Sequence, residues 1–306
     1  MENKNLASDA KEIAKSIAES NPCEGAACFD LQQVMMLPKA CQSGIYFSRK
    51  LNNYDLSIYS LGTGHAYCYV WNKTIGGRGS CEIASCVFSF LNTMASDNIK
   101  SITTFSDNCG GQNRNPIFLT ILWYSVKALG FSKICHKYLE RGLTQNENDS
   151  VHSTIERSCK NIPVYTTSQW VTCMRMARRS NPYHVTELTS EDFIDFKELS
   201  TKVRNLDTDS EGSKIKFLEI KTISFSSDCP DTAVIQYDYG CSLINLNVKP
   251  RLRNNDNTLP ALEPHFRQAD FPKLSKSKND DLMTLCEKNT IPQAYHSFYK
   301  SLPVAL

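Results

Sequence analysis

The sequence contains no apolar run of the roughly 18 residues that a membrane-spanning helix needs. Its best stretch, residues 117–131, is interrupted by Lys127. The N-terminal residues MENKNLASDAKEIAKS carry charge and no apolar signal core, which points to the cytosol or nucleus rather than to secretion. An excess of one charge is also missing. Net charge is only +2, so any nucleic-acid binding has to come from local patches and not from a uniformly basic field. Paired Cys-x-x-Cys and His-x-x-x-His spacings are absent as well. The 13 cysteines are odd in number and scattered, and they read as thiols; structural zinc is not expected. The loop Gly76-Gly77-Arg78-Gly79 lacks the spacing and lysine of a phosphate-binding loop, which removes the NTPase class. There is no internal repeat and no low-complexity tract. What remains is room for one large domain or two small ones, of ordinary globular composition.

The most informative stretch is FSDNCGGQNRN, residues 105–115. It places Asp107 at the end of a short apolar strand, then a glycine turn, then an apolar helix over 117–129. A carboxylate at a strand tip faces the open edge of a sheet, where loops and metal can meet it. Asn108, Gln112, Asn113 and Arg114 add donors for an anionic substrate.

Taken in order, residues 5–20 read as an amphipathic helix. Cys28 to Val34 is an apolar strand with Asp30 inside it. Gly44 to Lys50, Tyr54 to Leu61 and Ala66 to Trp71 read as further strand pieces. Ser80 opens a helix with Glu82 in its first turn and Ile83, Val87, Phe90, Leu91 and Met94 on one side. Lys133 to Leu139 is another strand. Asp149, His152, Glu156 and Lys160 then recur at a spacing that puts them on one helical face. Beyond 160 the pattern weakens. A helix over 170–179 carries Arg175, Arg178 and Arg179, a second covers 189–200, and 201–214 reads as a linker. Strands over 217–225 and 232–239 suggest a small subdomain. Polar loops with basic clusters follow at 249–258 and 272–281, and the chain ends in short helices broken at Pro292.

The order over 26–160, three strands and then alternating helix and strand, is α/β with a mixed sheet. It is the element order of a ribonuclease H-like five-stranded sheet flanked by helices. The expected division is a helical lead-in over 1–25, a catalytic-type domain over 26–200 and a small α+β extension over 201–306. In that arrangement Asp30, Glu82, Asp107 and Asp149 occupy the acidic positions, with His152 and Glu156 in reserve. Clustered carboxylates suit Mg²⁺ or Mn²⁺ in a two-metal site. Arg78 and the arginines at 175–179 are the candidate phosphate contacts, along with the donors of the 105–115 turn. A separate reading takes Cys109 as a nucleophile beside His136 or His152.

These stretches also carry a resemblance. FDLQQV with Leu37-Pro38, GGRGSCEI, FSDNCGGQNRN, RGLTQNENDSVHSTIE and the closing KNDDLMTLCEKNTIPQAYHSFYKSLP are similar, in this order, to a transposon-derived group of animal proteins. The resemblance implies a ribonuclease H-like, DDE transposase/integrase-type domain with Mg²⁺ or Mn²⁺, DNA as partner, no membrane, a nuclear location and room for a homo-oligomer. Asp30, Asp107 and Asp149 match its acidic positions, and Glu82 matches a recurrent acid. Two departures stand out. Leu143 replaces the histidine of the group's Gly-His-Thr, and the chain begins just before the first core strand, as a truncated or host-recruited copy would. The expected function is metal-dependent phosphodiester cleavage or strand transfer on DNA. The alternative is a catalytically silent module that binds DNA or protein.

Overall fold

A computed structural model describes residues 2–139, 146–203, 208–239, 241–248, 259–265 and 271–305, with side chains from residue 6. The elements, in chain order, begin with α1 (Glu2–Ser20), β1 (Glu24–Leu31), β2 (Met35–Leu37), α2 (Ser43–Phe47), β3 (Leu51–Ser60) and β4 (Ala66–Asn72). Next come α3 (Ser80–Ser96), β5 (Ser101–Ser106), α4 (Pro116–Leu129), β6 (Lys133–Tyr138), α5 (Glu147–Cys159) and α6 (Thr167–Met176). The chain closes with β7 (His184–Glu187), α7 (Phe196–Lys202), β8 (Thr222–Ser226), β9 (Thr232–Gln236), β10 (Ile244–Asn247), α8 (Lys276–Glu287) and α9 (His296–Lys300).

The strands form one mixed sheet in the order β10-β9-β8-β6-β5-β1-β3-β4-β7, with β2 paired to β3. β3 runs antiparallel to β1 and β4 antiparallel to β3, whereas β5 is parallel to β1 and β6 parallel to β5. Helices cover both faces. On one face α3, α4 and α7 pack over Phe29, Leu56, Trp71, Phe90, Phe118 and Trp123. On the other, α5 and α6 bury Val151, Ile155, Trp170 and Met174 against Leu37, Cys68 and Val70, while α1 lays Ala14 near Ala26 and Cys28.

Local chemistry explains the helix ends. Asn115 accepts the Phe118 N–H at 3.0 Å with Pro116 at the first helical position, and α4 stops at Gly130 with φ +74°. At the start of α3, Glu82 turns back to accept the N–H groups of Gly77 and Gly79 at 2.6 and 3.1 Å.

The structure corrects the expected fold at several points. Among the described residues the sheet has ten strands where five are expected. The strands of the 217–239 region do not form a subdomain of their own: β8 pairs antiparallel with β6 and continues the main sheet, and Ile223, Phe225 and Ile235 share a core with Phe29. The reason is that β6 would otherwise present an open, apolar-backed edge. Residues 44–50 contain a helical turn rather than a strand, because Ile45 alone is buried while Tyr46 and Phe47 face out. The helix over 189–200 is broken by the extended Phe193-Ile194, whose phenyl group fills the core. β7 and β10 were too short to stand out in the sequence.

Candidate functional site

Parallel pairing of β1 and β5 runs up to Phe29 beside Ser106. One residue further, Asp30 and Asp107 lie at neighbouring strand tips, on the face that α5 covers. α5 is fixed there by Asn148, which is fully buried and donates from Nδ2 to the Cys28 carbonyl at 3.0 Å. Glu147 adds an ion pair to the buried Lys11 of α1 at 2.5 Å and accepts the Cys28 thiol at 3.1 Å. The first turn of α5 is thereby pinned to β1. Ligand atoms of Asp30, Asp149 and His152 all fall within 4.8 Å of one another.

The electrostatics of this group are those of charges in want of a counter-ion. Burial pushes the Asp30 carboxyl up to about 6; Asp107 and Asp149 push it the same way, against the pull of the Leu31 N–H. The Leu31 N–H, 2.9 Å from Oδ1, is its one hydrogen bond among the described residues. Burial holds the His152 imidazole down at about 4 although Asp149 favours its charged form, so it is neutral near pH 7. Its Nε2 is buried with no hydrogen-bond partner among the described residues. Such an orphaned atom costs about 1–3 kcal/mol. Two carboxylates and a neutral imidazole lone pair fit a divalent cation on this count, and the nitrogen favours Mn²⁺ over Mg²⁺, which prefers oxygen donors.

The other residues singled out in the sequence divide differently. Asp107 is exposed and accepts Asn113 Nδ2 at 2.6 Å and the Cys109 N–H at 3.3 Å, so it adjoins the group without closing it. Glu156 lies a turn further along α5, exposed, in a shallow groove with Gln32, Met36 and Trp170. Glu82 is not in the group: its two oxygens serve the turn that starts its own helix. Asn113 and Arg114 are buried, which corrects their assignment to nucleic acid. Asn113 ties Ser106 to Asp107, and Arg114 stacks on Tyr138 at 5.1 Å and donates from Nε to the Ile220 carbonyl at 2.8 Å. Asn108 and Gln112 are half-buried on the same turn. Arg78 is exposed, above the Tyr54 ring. Arg175 donates to the Val185 carbonyl at 2.8 Å; Arg178 lies in a cleft of about 550 Å³ with Lys11, Glu12 and Tyr183, and Arg179 is exposed. α6 ends at Met176, so the three arginines do not share one helix face.

His136 is fully buried on the opposite face of the sheet, held between the hydroxyls of Thr104 and Ser106 at 2.8 and 3.2 Å, which removes it as a base for Cys109. Leu143 and the 249–258 cluster lie outside the described residues. Two buried polar residues escaped the sequence reading, the first of them at the site. Asn148 was hidden as an ordinary polar residue at a helix start. Asp55, fully buried beside Ser57, carries a carboxyl that burial pushes up to about 7, against the Ser57 hydroxyl bond. Its strand position between Tyr54 and Leu56 is the signal that could have found it.

None of the curated proteins and none of the solved structures compared matches this chain. No described helix is long and apolar enough to cross a membrane. Residues 56–225, more than half of the chain, match the family described as a domain of unknown function (DUF7869), and the chain belongs to that family.

Proposed function

We propose that the protein carries out metal-dependent cleavage or strand transfer of DNA phosphodiesters on a ribonuclease H-type core. The observation that carries this reading is the convergence of Asp30, Asp149 and His152 within 4.8 Å, beside Asp107. The inner strands support it: the order β4-β3-β1-β5-β6 and their directions are those expected of that core. Asp30, Asp149 and His152 hold the cation, and Asp107 adds negative charge on the open side. A bound divalent ion would polarise the phosphodiester and stabilise the attacking and leaving oxygens. A base with a pKa near 4 is weak at neutral pH, so His152 serves as a ligand through Nε2 and not as the proton acceptor. The exposed carboxylates of Asp107 and Asp149 leave the site open to a large substrate. A nuclear location follows from the substrate.

The test is a Mn²⁺ titration followed by thermal unfolding, with a supercoiled-DNA cleavage assay on the same samples. The expected result is a rise in Tm with Mn²⁺ and nicking of the DNA, both lost in Asp30→Asn. A rise in Tm without cleavage would favour a silent DNA-binding descendant. No rise at millimolar Mn²⁺ overturns the metal site.

A further inference from the structure

A second group of metal-binding side chains lies on the other face of the sheet. Cys81 lies in the first turn of α3, Asp195 caps α7, and His265 follows Pro264, which bridges to Ile194. One donor atom from each falls within 4.8 Å of the others. Three distant parts of the chain meet here, and the backbone is built to bring them together. The Asp195 N–H donates to the Glu263 carbonyl and the His265 N–H to the Phe193 carbonyl, both at 2.8 Å. This short antiparallel bridge, centred on Ile194 and Pro264, sets the imidazole beside the carboxylate.

The spacings within this group are close to those of ligands around a single ion. His265 Nδ1 lies 3.9 Å from Asp195 Oδ1 and its Nε2 4.0 Å from Glu82 Oε1, both beyond hydrogen-bond length. Two donors on a tetrahedral zinc stand roughly 3.4 Å apart, given bonds near 2.0–2.1 Å. For the Nδ1–Oδ1 pair that is a difference of about half an ångström, and the remaining donors lie within 4.8 Å. Cys81 is 4 % exposed; burial, with the nearby Asp195 and Glu82 carboxylates, pushes its thiol up to about 11, against the N–H groups of Lys197 and Phe196 at the start of α7. Asp195 caps α7 through Oδ1, so Oδ2 is left for a ligand bond.

We propose that Cys81, Asp195 and His265 bind one zinc ion through Sγ, a carboxylate oxygen and Nδ1, which clasps the 259–265 segment onto the starts of α3 and α7. The thiol proton leaves to solvent as the sulfur–zinc bond forms. Glu82 Oε1 lies 4.0 Å from the other imidazole nitrogen and adds negative charge beside the ring. The side chains of His265 and Asp195 are 22 % and 26 % exposed, so water takes the fourth position. This site is independent of the Asp30 group, whose oxygen-rich donors suit a harder ion.

The test uses the full chain, stripped of metal by dialysis against a chelator, and Co²⁺ as a spectroscopic stand-in for zinc. The expected result is one equivalent of Co²⁺ with a thiolate-to-cobalt absorption band that zinc displaces. The band should persist in Asp30→Asn, vanish in Cys81→Ser, and need more than about 100-fold more Co²⁺ in His265→Gln. His265 is partly exposed, so its variant keeps the test alive should Cys81→Ser fail to fold. A band of unchanged strength in Cys81→Ser, unchanged affinity in His265→Gln, or no band in the wild type overturns the proposal.

Discussion

Asp30 and Glu82 are both acids set low in the molecule, yet their surroundings are opposite. Glu82 sits at a helix start, where its two oxygens accept the N–H groups of Gly77 and Gly79. Asp30 ends a strand, receives one N–H, and faces Asp107 and Asp149. The fold satisfies the first carboxylate and frustrates the second. An acid that the chain itself has satisfied is part of the scaffold; one held among like charges is arranged for a partner from outside.

Four substitutions test that contrast, the most damaging first. Asp30→Asn should lower Mn²⁺-dependent DNA cleavage by roughly 10³-fold, the equivalent of the several kcal/mol of charge stabilisation that a bound ion supplies. The same variant should be more stable than the wild type at pH 8, since its ionised carboxylate is disfavoured in the fold; lower stability would show that Asp30 is satisfied after all. Asp55→Asn comes next. A raised carboxyl contributes stability below its unfolded pKa and loses it as pH rises through the folded one, here between about 4 and about 7. Guanidinium unfolding at pH 4 and pH 8 should show the wild type losing about 3–4 kcal/mol that the variant keeps. Arg114→Ala should cost about 2–3 kcal/mol from its lost charge-assisted bond and leave the salt dependence of DNA binding unchanged; a shallower salt slope would return it to the phosphate contacts. Glu82→Gln should cost only about 1 kcal/mol of stability, with cleavage intact. A cleavage loss comparable to that of Asp30→Asn would erase the distinction.

Much of the inner architecture was legible because it rests on short-range pattern. Alternating apolar strands, the Asn115-Pro116 helix start and the spacing of Asp149 and His152 are properties of a few consecutive residues. Asp30 stood out as a charge between Phe29 and Leu31, where a carboxylate has no ordinary place. Glu82, Asn113 and Arg114 were misplaced for a shared reason. A polar side chain after a glycine turn looks the same whether it reaches out to a ligand or back to its own backbone. Which sheet edge β8 joins depends on the bareness of β6, a fact of assembly and not of either segment. The Cys81, Asp195 and His265 cluster was invisible for the same cause: no spacing rule spans such distances along the chain.

The union of β8 with β6 has a practical outcome for anyone dissecting the protein. A chain ended at residue 200 would strip β6 of its antiparallel neighbour and bare a row of amide and carbonyl groups next to Ile134 and Phe131. Such an edge recruits strands from other molecules, and precipitation of that fragment would report a missing neighbour rather than a failure of its acids.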